Sequence, residues 1–93
     1  MINVVTLSSL VQEHTRAVCK HPWDGYTLDD MGKALTGELM ELGEAEARGD
    51  VHGPHGMRAE LLQVAVVALR TYEALEHVEP IPGVIISSGG IKP

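Results

Sequence analysis

Apolar residues recur at helical spacing in three stretches of the chain, and polar or helix-breaking residues separate them. In the first, Leu7, Leu10, Val11, His14, Ala17 and Val18 fall on one side of a helix predicted from about Leu7 to Lys20, with Thr6 or Ser8 as its N-cap. The segment His21–Tyr26 (HPWDGY) ends it, because Pro22 and Gly25 are poor residues for a helix interior. Thr27 opens the second helix: its hydroxyl caps the first turn, and Asp29 and Asp30 sit at the positive end of the helix dipole. Met31, Leu35, Leu39, Leu42 and Ala45 carry it to about Arg48, and Gly49-Asp50 stops it. Gly32, Gly37 and Gly43 lie inside it, which permits close approach of another helix.

The turn Asp50–Gly56 (DVHGPHG) leads into a third helix, predicted from about Met57 to His77. Between Leu61 and Leu75 apolar residues occupy almost every side of it, and a helix apolar all round is buried all round. Two partner helices in one short chain cannot enclose it, whereas a dimer completing a bundle of four or more helices can. The expectation is therefore an all-α bundle completed by self-association, with one domain over residues 1–79. Residues 80–93, rich in proline and glycine around Val84–Ile86, are expected to form an extended or disordered C-terminal tail.

Composition sharpens this picture. A chain of 93 residues buries only about 60% of its unfolded surface, so its core needs a supplement. Cys19 is the sole cysteine, which excludes an internal disulfide and suits a reducing compartment. A metal or a partner subunit is left as the supplement. The aromatic content is 3%, with no Phe, so the core is aliphatic and favours packed helices. The net charge is −6 and the basic residues are scattered, which argues against a nucleic-acid polymer as partner. The N-terminus lacks the charge pattern of a signal peptide, and the apolar run Val64–Leu69 is too short to cross a bilayer. A soluble, cytoplasmic protein with no membrane partner is expected.

The candidate chemistry lies on the second and third helices. At about 100° per residue, Glu38 falls roughly 50° from the centre of the apolar arc, on the margin of the buried stripe. Glu41 follows at i+3 on the same flank, so the two carboxylates converge and repel unless a cation lies between them. On the third helix Glu60 and Gln63 form a second i, i+3 pair, and Gln63 interrupts an apolar run, so it must find a partner. Glu38, Glu41, Glu60 and Gln63 facing one another make an oxygen-rich site that suits Mg²⁺, or Mn²⁺, rather than zinc. Acidic pairs at this spacing are commonly plain solvated surface; the second polar pair on the most buried helix gives this one weight.

The strings TLDDMGKALTGELMELGEAEAR and MRAELLQVAVVALRTYEAL resemble the MazG-type all-α nucleoside triphosphate pyrophosphohydrolases, over about Trp23 to Leu75. That family carries EExxE on one helix and ExxD on the next. Glu38, Glu41 and Glu60 match acids of the motif, while Gly37 stands where the first Glu is usual and Gln63 where Asp is usual. ELLQVAVVAL is similar to a variant found in compact members of phage or actinobacterial type. The resemblance implies Mg²⁺-dependent hydrolysis of an NTP or dNTP to the monophosphate and pyrophosphate. In it Glu38, Glu41 and Glu60 are catalytic and hold metal, and Gln63 is a neutral ligand or orients a water. The alternative is a helical dimer that binds a nucleotide or a protein without turnover, which the loss of two acids favours.

Three further residues are candidates for substrate contact: Trp23 for stacking on a base, and Lys33 and Arg58 for phosphates. A lone Trp near a helix start is more often a packing anchor, and solvated surface charge is the commoner explanation for the other two. His52 and His55 (HGPH) lack the further ligands of a zinc set. Ser8, Ser9 and Cys19 have no evident base partner for nucleophilic chemistry.

Overall fold

A computed structural model of the chain describes residues 1–78, and the expectation for the tail 80–93 lies outside them. The described residues form three helices and no strand: α1 (Val4–Lys20), α2 (Leu28–Arg48) and α3 (Met57–Val78). The all-α class is as expected. α1 starts earlier than its apolar spacing suggested, because Asn3 rather than Thr6 or Ser8 is the N-cap. Its side chain accepts from the amides of Val5 at 2.7 Å and Thr6 at 3.4 Å.

The start of α2 is built as its sequence reads. The Thr27 hydroxyl accepts from Asp30 N at 3.1 Å while Asp30 Oδ2 accepts from Thr27 N at 3.0 Å, a reciprocal capping box. The helix ends at Gly49, whose φ of 70° lies in the left-handed region, and whose amide donates back to Ala45 and Glu46 carbonyls.

α3 packs against both other helices, more extensively against α2 than α1. Buried apolar side chains come from all three: Ala17, Ala45, Val66 and Val67. α3 is not buried all round within the single chain. Leu61, Ala65, Ala68 and Tyr72, which share one face at spacings of 4, 3 and 4 residues, are exposed. Two neighbouring helices cover only part of its circumference.

The buried stripe of α2 also differs from the expected arc. Leu39 is half exposed at 49%, and the side facing α3 runs through Met31, Leu35, Glu38, Leu42 and Ala45. Glu38 thus occupies the centre of the helix interface rather than its margin. Arg70 on α3 closes the other end of the bundle. It is buried, donates to the carbonyls of His21 at 2.8 Å and Ala17 at 3.5 Å, and lies 4.0 Å over the Trp23 ring. It satisfies the last turn of α1 from a neighbouring helix.

Candidate metal centre

Glu38, Glu41 and Glu60 converge. One carboxylate oxygen from each lies within 4.8 Å of the others, between α2 and α3. The i, i+3 step brings Glu38 and Glu41 to one patch of α2, and the packing of α3 brings Glu60 opposite. Glu60 is 5% exposed and Glu38 half-buried, while Glu41 stands at the solvent edge. The trio therefore has an open side and an enclosed floor.

The floor is electrostatically unfinished. Glu38 Oε1 and Glu60 Oε1 are both buried and neither has a hydrogen-bond partner. Burial pushes the Glu38 carboxyl above its usual range, and the nearby charges of Glu41 and Glu60 push it further. The Glu60 carboxyl is raised first by burial, then by Glu41, with His55 pulling the other way. One buried, one half-buried and one exposed acid, with acceptor oxygens converging between the helices, form a ligand set that a hard divalent cation would complete.

Gln63 lies one turn from Glu60 and is half-buried, as its place in an apolar run implied. Its partner is on α1: Nε2 donates to Glu13 Oε2 at 2.5 Å. Glu13 also accepts from Arg16, whose hydrogen bond holds the Glu13 carboxyl below its usual range. No spacing along the chain marks Glu13 as the acceptor, because a residue on the first helix becomes a neighbour only through the α1–α3 crossing.

The three candidate substrate contacts lie elsewhere. Trp23 stacks with Tyr26 (ring centroids 5.3 Å apart, planes 7° off parallel) and receives Arg70, ten residues beyond Glu60, which is about 15 Å along α3. Lys33 pairs with Asp29 at 3.1 Å on an exposed turn of α2. Arg58, about 160° around α3 from Glu60, lines a cavity of about 510 Å³ with His52, Leu61, Leu62, Val5 and Ser9. None of the three makes a hydrogen bond or ion pair to the trio among the described residues.

The turn before α3 separates its two histidines. His52 lines the Arg58 cavity, and His55 places Nδ1 3.7 Å from Glu60 Oε2. The turn itself is tied down: Asp50 Oδ1 accepts from Gly53 N at 2.9 Å, Asp50 O from Met57 N at 2.8 Å, and His55 O from Arg48 Nη2 at 3.0 Å. The fold and site together define an all-helical protein with a carboxylate trio set into a helix interface. No family model, curated protein or solved structure matches the chain.

Proposed function

We propose that this chain is a divalent-metal-dependent nucleoside triphosphate pyrophosphohydrolase of MazG-like type, hydrolysing an NTP or dNTP to the monophosphate and pyrophosphate. The observation that carries the reading is the trio, with two buried carboxylate oxygens that no protein donor satisfies. In an ordinary helix interface such positions are apolar, and unpartnered acids there cost stability, so their presence asks for a functional return. Glu38, Glu41 and Glu60 would hold Mg²⁺ or Mn²⁺ by oxygen, which suits both ions. When bound, such an ion would supply the positive charge that offsets charge developing at the leaving pyrophosphate.

The chain's own residues have distinct parts in that chemistry. Glu60, on the enclosed floor, fixes the depth of the site, and Glu38 beside it keeps bulk water from the buried side. Glu41 is exposed and faces the side from which substrate arrives, where it can accept a proton from an attacking water. A homodimer or higher homo-oligomer, covering the exposed face of α3, belongs to the same proposal, as does a cytoplasmic setting.

A second reading is favoured by two specific residues. Gly37 brings no carboxylate where the resembling family has one, and the Gln63 amide is engaged with Glu13. These leave three acids, and with them a site that binds a metal–nucleotide complex without turning it over. Pyrophosphate release from a panel of NTPs and dNTPs with Mg²⁺ or Mn²⁺ separates the two. Turnover by the wild type that is lost in Glu38→Gln supports the enzyme; nucleotide binding with no turnover in either protein supports the binding module.

A further inference from the structure

We infer that His55 supplies a nitrogen ligand to the cation held by Glu38, Glu41 and Glu60, so that the centre is a mixed nitrogen–oxygen site that prefers Mn²⁺ to Mg²⁺. This rests on the metal centre proposed above and adds to it a residue from outside the two acid-bearing helices.

The geometry at Glu60 is the starting point. Glu60 is nine-tenths buried, its Oε1 has no partner, and His55 Nδ1 stands 3.7 Å from its Oε2. That separation is too long for a hydrogen bond, which would draw the atoms to about 2.7–3.2 Å. It does match two atoms ligating one ion. With bonds of about 2.0–2.2 Å and angles of about 90–120°, neighbouring ligands lie roughly 3–3.8 Å apart.

Packing offers no reason for the imidazole to be there, since the His55 side chain is 86% exposed. Its backbone, by contrast, is held. Arg48 binds its carbonyl, and the next residue donates from Gly56 N to Gly53 O at 3.0 Å. A Cβ at Gly56 would come within 2.9 Å of Gly53 N, so glycine is required for the chain to pass this close. A fixed backbone thus presents an exposed ring beside Glu60, and the ring joins the trio by turning from the position it holds here, where it lies outside the set of converging carboxylate oxygens. Imidazole suits first-row transition ions, and a nitrogen donor raises affinity for Mn²⁺ while Mg²⁺ gains little from it.

The test is Mn²⁺ and Mg²⁺ binding by calorimetry, with electron spin-echo spectroscopy of the Mn²⁺ complex, for wild type, His55→Ala, His55→Gln and His52→Ala. Wild type and His52→Ala are expected to show ¹⁴N modulation from a coordinated imidazole. Both His55 variants should lose it and bind Mn²⁺ about tenfold more weakly, with Mg²⁺ affinity little changed. If wild type binds Mn²⁺ without ¹⁴N modulation, or His55→Ala binds it equally or more tightly, His55 is a counter-charge and the inference is overturned while the carboxylate centre stands. If wild type binds neither ion, the centre itself fails and this inference goes with it. Circular dichroism of both His55 variants distinguishes lost ligation from lost fold.

Discussion

Gln63 on α3 donates its amide hydrogen to Glu13 on α1 at 2.5 Å, so the position where the resembling family carries an aspartate serves here as a neutral clasp between helices. An aspartate at 63 would set a second carboxylate against Glu13 and leave no donor between them. We expect Gln63→Asp to lower stability by about 1–3 kcal/mol. Replacing Glu13 by Gln in the same chain should restore part of that loss, because it returns a donor to the pair. Thermal unfolding of wild type, both single variants and the double variant measures the coupling; strictly additive losses would show that the clasp is not what the substitution breaks.

Glu38 and Glu60 make the metal-free protein sensitive to pH in a direction opposite to most carboxylates. Both hold their protons more tightly in the fold than the 4.5 of an ordinary glutamate. Their contribution to stability is fully present below that value and is lost as pH rises through the elevated folded values. Glu13 and Asp30, whose pKa values are lowered by hydrogen bonds from Arg16 and Thr27, act the other way and only at more acid pH. With a chelator present, the melting temperature of wild type should therefore fall more steeply than that of Glu60→Gln as pH rises above 4.5. At pH 7, Glu60→Gln should be about 1–3 kcal/mol more stable than metal-free wild type. Added Mn²⁺ should stabilise wild type and leave Glu60→Gln unmoved. Equal pH slopes in the two proteins would remove the electrostatic case for the trio.

Arg70 ties the far end of the bundle through two carbonyls of α1 and the face of Trp23. Arg70→Met keeps an unbranched apolar stem and removes both the donors and the charge. We expect a loss of about 1–3 kcal/mol, from the His21 carbonyl left unpaired and a cation–π contact removed, since the Ala17 carbonyl keeps the His21 amide as its donor. Trp23 is the only tryptophan, so its fluorescence reports the change directly. An unaltered spectrum together with unaltered stability would sink this account of α1 docking.

The features legible in the sequence were those set by neighbours along the chain. The Thr27–Asp30 capping box, the stop at Gly49 and the convergence of Glu38 with Glu41 need only local spacing. The start of α1 is hidden in the sequence because Val4, Val5 and Thr6 are β-branched and weak helix formers, while the Asn3 cap that holds them lies before any apolar period. Leu39 falls in the core on a helical wheel, which counts hydrophobicity and not the direction of the partner; the facing helix selects the stripe through Glu38 instead. The Glu13–Gln63 and Arg70–Trp23 pairs, and His55 beside Glu60, depend on how α1 and the turn before α3 meet α3. No pattern along the chain encodes those distances.

Gly56 should be less replaceable than Gly49, although only Gly49 has a left-handed backbone. At Gly49, φ is 70° and a Cβ meets nothing within 4 Å, so Gly49→Ala should cost only about 1 kcal/mol of conformational strain. At Gly56 a Cβ would meet Asp50 Oδ1 at 2.7 Å, Gly53 N at 2.9 Å and Asp50 O at 3.0 Å. Two of these are backbone atoms held by the turn's own hydrogen bonds, so the turn must open to make room. We expect Gly56→Ala to cost about 2–3 kcal/mol, through the overpacking it forces. It should also weaken Mn²⁺ binding, since the turn carries His55. Equal losses for the two alanine variants in chemical denaturation would mean that the turn yields freely and does not fix His55.

The exposed face of α3 leads to the last prediction. Leu61 is 51% and Tyr72 59% exposed on that face, while Val4 and Val11 on α1 are exposed at 79% and 55%. Against this, the buried apolar side chains among the described residues are two alanines and two valines, a small core for three helices. A second copy laid on the α3 face would bury Leu61 and Tyr72 and enlarge the apolar interior at about 25 cal/mol per Å² removed from water. Light scattering at micromolar concentration should give twice the chain mass for wild type. Leu61→Glu should shift the protein to monomer and lower its melting temperature, with helix content retained at low temperature. A wild type that scatters as a monomer across that range contradicts self-association, and α3 would then carry its exposed stripe unassisted.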